Sequence, residues 1–153
     1  MIEIVSYEPI YKPFIKTLNY EWLQKYFDIE ANDIVQLSNP EEEILNKGGK
    51  IYFALHNNEV VGTSTLMKMD VEEYELAKMA VTEKSQGLGI GEILLEHCIQ
   101  KAKDMHIKRL SLFSNTKLTA AIALYKKYGF LETPLPLDVH YKRANIKMIK
   151  YLG

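Results

Sequence analysis

The stretch Val81-Thr82-Glu83-Lys84-Ser85-Gln86-Gly87-Leu88-Gly89-Ile90-Gly91 decides how this chain is read. Before it, Tyr74 to Val81 is rich in apolar and β-branched residues, which predicts a strand. After it, Leu94, Leu95, Cys98, Ile99, Ala102 and Met105 form one stripe of a helix over 91–105. A strand ends, a loop with three glycines follows, and a helix begins. Glycine admits positive φ and lets a ligand approach the backbone closely. The new helix presents unpaired N–H groups and the positive end of its dipole. Together these features make a cradle for phosphate or pyrophosphate; without a ligand the same residues make a tight strand-to-helix turn. A Walker loop is absent, because Gly49-Lys50 is followed by Ile51. A dinucleotide fingerprint starting at Gly87 would need glycine at position 92, which is Glu92.

Upstream of the loop, residues 2–6 read as a short strand. Ile10, Phe14, Ile15, Leu18, Trp22, Leu23 and Tyr26 recur at helical spacing over 9–27, and Pro13 should kink or restart that helix. Residues 28–40 look polar and broken. Glu41 to Asn46 suggests a short helix with Pro40 in its first turn, ended by Gly48-Gly49. Residues 51–55, 60–67 and 74–81 then predict an antiparallel meander, with an Asn-rich turn at 56–59. Downstream of the loop come a strand over 107–113, a helix over 117–128 stopped by Gly129, and last strands at 130–131 and 141–148. The order is strand, two helices, three strands, helix, strand, helix, two strands. No repeat or low-complexity linker divides it, so the expectation is one domain over 1–153, a mixed α/β (α+β) sheet with helices on both faces.

Composition bounds the function without naming it. The chain has 153 residues and a formal net charge of -1, with 47% apolar and 25% charged residues. Those values fit a self-sufficient globular core and exclude disorder. Near-neutral charge removes the main argument for a nucleic-acid partner or a polybasic membrane anchor. No apolar run approaches the ~20 residues that span a bilayer, and residues 1–5 lack the pattern of a signal peptide. One cysteine, Cys98, forms no internal disulfide, which suits a reducing cytoplasm. His56, His97, His106 and His140 show no metal spacing, so no metal is expected.

Gln86-x-x-Gly89-x-Gly91, set between strand and helix, resembles the acyl-CoA pyrophosphate loop of the GNAT N-acetyltransferase superfamily. Residues 121–130, Ala-Ile-Ala-Leu-Tyr-Lys-Lys-Tyr-Gly-Phe, resemble that superfamily's second signature, a helix ending in Tyr-x-x-x-Gly-Phe. The pair, with one strand between them, is far more specific than either motif alone. The resemblance implies a twisted mixed sheet of six to seven strands, splayed between the fourth and fifth, with acetyl-CoA as cosubstrate lying in the splay. It implies that Met79, Ala80 and Val81 pair with the pantetheine arm. Gln86, Gly87, Leu88, Gly89, Ile90, Gly91 and Glu92 would hold the pyrophosphate, with Lys127 as a phosphate-neutralising cation. Members often carry asparagine seven residues before the helix tyrosine, where this chain has Leu118; Asn115, just upstream, is the substitute.

The same resemblance makes Tyr125 the acid that protonates the departing CoA thiolate. Glu75, near the start of the central strand, is the best-placed base for the acceptor amine, ahead of Glu72 and Glu73. Cys98 lies about 10 Å along its helix from Gly91 and on the apolar stripe, so direct attack in a ternary complex is expected over an acetyl-cysteine intermediate. The acceptor is expected to be a primary amine on a small or amino-acid-like molecule. The alternatives are a protein N-terminus or lysine, and a non-catalytic acyl-CoA-binding module. A monomer or a homodimer is expected. His140-Tyr141-Lys142-Arg143 reads as part of a polar strand face, with the sharper alternative that Arg143 or His140 meets an acceptor carboxylate. Seven of the 16 aromatic residues lie before residue 28. Of these, Phe14, Trp22 and Tyr26 fall on the helical stripe and are expected in the core, whereas Tyr11, Tyr20 and Phe27 are free to wall an acceptor pocket.

Overall fold

The structure is a computed structural model that describes residues 1–153. Seven strands form one sheet: β1 (Ile2–Ser6), β2 (Lys50–His56), β3 (Glu59–Lys68), β4 (Glu73–Val81), β5 (Arg109–Ser114), β6 (Leu131–Thr133) and β7 (Ile146–Tyr151). Their spatial order is β1-β2-β3-β4-β5-β7-β6. Every neighbouring pair is antiparallel except β4 and β5, which are parallel. That pair is joined only at Glu73–Arg109, Tyr74–Leu110 and Glu75–Ser111, although β4 continues to Val81 and β5 to Ser114. Beyond Glu75 the two strands diverge, which is the expected splay.

Helices cover both faces. Strand β2 shows why: Ile51 and Phe53 join the cluster of Ile15, Leu23, Leu37 and Ile44, while Tyr52 and Ala54 join clusters that hold Leu94, Leu95 and Cys98. Alternate side chains of a strand point to opposite faces. One face therefore packs α1 (Lys12–Tyr26), α2 (Ala31–Ser38) and α3 (Pro40–Glu43), and the other packs α4 (Ile90–Asp104) and α5 (Thr119–Lys127).

Pro13 restarts the first helix as expected: a 3-10 turn at Pro9–Tyr11 leads into α1, with the proline where no intrahelical donor is needed. Two expectations fail. Residues 31–38 form a helix rather than a broken loop, because Glu30 and Asp33 make a reciprocal capping box around its first turn. The last strand starts at Ile146, not Tyr141; residues 141–145 direct their polar groups toward α2 and β5 instead of into a ladder.

Candidate active site

The splay opens into a cleft of about 710 Å³, with the glycine loop at one end and Glu75 and the α1–α2 layer at the other. Gly87 and Gly89 have φ of 86° and 76°, the left-handed region that glycine occupies without strain. A Cβ added at Gly87, Gly89 or Gly91 would meet no protein atom within 4 Å, so the space above all three is open. Helix α4 begins at Ile90 with no side-chain cap, leaving its first amides available to an anion. Met79, Ala80, Val81, Gln86, Gly87, Gly89, Ile90, Gly91 and Glu92 all line the cleft. Leu88 does not; its side chain is exposed on the outer side of the loop.

Lys127 is not brought into the cleft. Its ammonium pairs with Glu92 at 2.7 Å, and Tyr128 also donates to that carboxylate. Their combined effect is to hold Glu92 below the usual carboxylate range and to neutralise the one acid beside the cradle. Lys117, unlike Lys127, does line the cleft, over the ring of Phe27. Asn115 lines the cleft as well, but its amide is engaged internally. Its nitrogen donates to the Arg143 carbonyl at 2.7 Å and its oxygen accepts from the Lys117 amide at 2.8 Å. It ties the end of β5 to the segment before β7.

Tyr125 reaches the cleft from the buried face of α5, its ring edge-on to Phe130 at 5.8 Å. Its hydroxyl has no hydrogen-bond partner within the chain, and burial pushes it up to about 12. Glu75 sits at the vertex, the last residue of β4 paired with β5. Burial raises its carboxyl above the ordinary value, against the opposing pull of Lys78, His140 and Lys147. Cys98 lies outside the cleft, fully buried, with its S–H donated to Ser64; burial pushes the thiol to about 12.

The end of the cleft away from the glycine loop holds a polar network that sequence reading did not find. Strand β4 carries an extra residue opposite Ser64, and Lys78 adopts a φ of 55° there. Tyr74, Leu76 and Met79 pack toward α4, and simple alternation would have sent Lys78 with Tyr74 and Leu76. The bulge instead turns it to the α1–α2 face. Asn19, buried in α1, holds the bulge by donating to the Lys78 carbonyl. The Lys78 side chain is 6% exposed, donates to the Tyr141 hydroxyl at 2.6 Å, and lies 3.7 Å from Asp33. Burial lowers its ammonium to about 8, with Asp33 and Glu75 pulling the other way. Asp33 is fully buried and receives both arms of the Arg143 guanidinium at 2.7 Å. Burial would raise its carboxyl, but the Arg143 fork and the Glu30 amide hold it below the usual range.

Arg143 is therefore not on a strand face. It is committed to Asp33 and Glu30 and lies over the rings of Trp22 and Tyr141. His140 is exposed and off the cleft lining. The only local hint was the capping pattern of Glu30 and Asp33, since the pairing to Arg143 spans 110 positions. The aromatic expectations divide. Trp22, Tyr26 and Phe27 line the cleft, whereas Tyr11 stacks on Phe53 and Tyr20 packs with the α1–α2 core. Phe14 is exposed at 38% and belongs to neither.

Comparison with known proteins agrees with this geometry. Residues 10–130 match the model of the acetyltransferase (GNAT) family. An acetyltransferase of the GNAT family from Staphylococcus aureus Mu50 superposes with a TM-score of 0.89 at 28% identity, over 100% of both chains. A GNAT family acetyltransferase from Elizabethkingia anophelis, solved with acetyl-CoA bound, superposes with a TM-score of 0.66 at 27% identity, over 99% of this chain and 98% of that one. The [ribosomal protein bS18]-alanine N-acetyltransferase of Escherichia coli K12 is 29% identical over 116 residues, 76% of this chain and 68% of that protein. The seven-stranded sheet splayed at β4–β5, the open glycine cradle and the family match lead to one conclusion: the chain belongs to the GNAT family and is an acyltransferase.

Proposed function

We propose that this protein transfers the acetyl group of acetyl-CoA to the primary amine of a small or amino-acid-like acceptor by direct attack in a ternary complex. The observation that carries the reading is the single continuous cleft, with an open glycine cradle at one end and Glu75 with an aromatic wall at the other. The cradle amides of residues 87–92 and the free edge of β4 at Met79–Val81 would hold the pyrophosphate and the pantetheine. Acetyl-CoA supplies the activated thioester. Glu75, its carboxyl raised above the ordinary value by burial, takes a proton from the acceptor ammonium.

Tyr125 stays neutral throughout. A phenol at about 12 is a weaker acid than a thiol of ~8.5 by about 3.5 pK units, so complete proton transfer would cost on the order of 5 kcal/mol. Its role is to donate a hydrogen bond to sulfur as charge develops there; the second proton of the attacking nitrogen leaves through solvent as the thioester bond breaks, and solvent returns one to the thiolate. The buried Cys98 thiol, at about 12, supports transfer without a cysteine intermediate.

The test is CoA release from acetyl-CoA across a panel of amines, comparing the wild type with Tyr125→Phe. Intersecting initial-velocity lines are expected; parallel lines, or an acetylated Cys98 recovered by mass spectrometry, would overturn direct transfer. Acetyl-CoA binding with no amine accelerating CoA release would leave a binding module instead.

A further inference from the structure

One cation in the cleft shares its counter-ion: Asp33 lies 3.7 Å from Lys78 and also takes the Arg143 fork at 2.7 Å. Lys78 is turned into the α1–α2 face by the bulge and buried, yet it lines the cleft. Its ammonium carries three N–H donors, and Tyr141 accepts one of them. Asp33 pairs with it electrostatically at 3.7 Å, beyond hydrogen-bond distance. Its two oxygens already receive the Arg143 fork at 2.7 Å and the Glu30 amide at 2.8 Å, and Lys78 remains at 3.7 Å. Glu75 acts on Lys78 electrostatically but makes no ion pair with it. A buried ammonium with one direct hydrogen bond and a carboxylate shared with Arg143 keeps donor capacity for a group that enters the cleft.

We propose that Lys78 anchors the free carboxylate of the acceptor, and that the acceptor is therefore an α-amino acid with an apolar side chain. This rests on the amine-acetyltransferase reading above and names its substrate class. Glu75 and Lys78 lie three residues apart on the bulged strand, carry opposite charges and both line the cleft. An α-amino acid carries its ammonium and carboxylate on one carbon, so it fits with its amine at Glu75 and its carboxylate at Lys78. Trp22, Tyr26 and Phe27 line the same end and offer an apolar surface to the side chain. The bulge has the physical character of a specificity device: a left-handed lysine is a strained backbone, kept because it delivers this one charge. A protein N-terminus has no α-carboxylate, so the assignment separates this chain's acceptor from that of a ribosomal-protein acetyltransferase.

The experiment compares matched acceptors on the full chain: L-leucine and L-phenylalanine, their amides, and isopentylamine and phenethylamine. In the wild type, kcat/KM for the free acids should exceed that for the amides and amines on the order of 10- to 100-fold, the weight of one charge-assisted hydrogen bond in a buried site. In Lys78→Met the ratio should fall toward one, whatever the absolute rates, and Lys78→Arg should restore much of it. Calorimetric titration of the same compounds into the protein with CoA reads the preference without turnover. Selective binding of the free acids with no acetyl transfer would sustain the carboxylate site and defeat the catalytic reading. Amides or amines bound and acetylated as well as the acids, or a preference that survives in a folded Lys78→Met, would overturn the carboxylate site alone.

Discussion

Gly91→Ala should make the protein more stable and a poorer binder of acetyl-CoA. Gly91 is the second residue of α4, at a φ that needs no glycine, and a Cβ there meets no atom within 4 Å. Within a helix, alanine is favoured over glycine by roughly 0.5–1 kcal/mol, largely through the entropy of the unfolded chain. For a chain of this length 1 kcal/mol corresponds to roughly 2–4 °C in Tm, so the free variant should melt one to four degrees higher (about the same range, scaled down). The added methyl enters the cradle where an anion would approach the first-turn amides. Losing one charge-assisted amide–phosphate bond, worth ~1.5–3 kcal/mol, weakens binding about 10- to 100-fold. Thermal unfolding of the free protein and calorimetric titration with acetyl-CoA measure the two effects separately. Their opposite signs guard against a variant that is merely damaged. A Gly91→Ala protein that binds acetyl-CoA as tightly as the wild type would refute the cradle.

Further outcomes follow from the other residues. Tyr125→Phe should lower kcat for CoA release about 10- to 100-fold while leaving the acetyl-CoA Kd within twofold, as expected for a donor that acts on developing charge. The acidic limb of kcat/KM should lie above the ordinary carboxylate range because burial raises Glu75, and Glu75→Gln should remove that limb from the pH profile. Asp33→Ala removes the fork that holds the buried Arg143, leaving it the 3.4 Å contact with Glu30, and takes the carboxylate from Lys78, so it should cost on the order of 3 kcal/mol in denaturant unfolding. The folded Asp33 carboxyl lies below its unfolded value, so its contribution is full above the unfolded value of ~3.9 and is lost as pH falls through the folded one. Asp33→Asn should flatten the wild-type loss of stability in that acid window. Native Cys98 should resist iodoacetamide, since it is buried with a thiol near 12; labelling without unfolding would contradict its placement.

What was legible from sequence was local. The glycine loop, its position between strand and helix, the α4 stripe and the Tyr-x-x-x-Gly-Phe turn at the end of α5 depend on residues within a few positions of one another. Backbone preference and 3.6-residue periodicity act over that range. They marked the strand, glycine loop and helices, and the resemblance carried by the two motifs pointed to the family and to Tyr125 and Glu75 as candidates. The other end of the cleft was decided by tertiary structure. Whether Lys78 faces core or cleft depends on one extra residue in the β4 register, which reverses the side-chain alternation. Whether Arg143 lies on a strand or over Trp22 depends on a carboxylate 110 positions away, on a helix whose capping box is easily read as loop. Trp22 and Tyr26 occupy positions that periodicity assigns to the core, yet they line the cleft because the splay of β4 and β5 leaves open the space they face. Local sequence shapes the glycine cradle at one end of the cleft; the bulge and the long-range pairing of α2 with the segment before β7 shape the other.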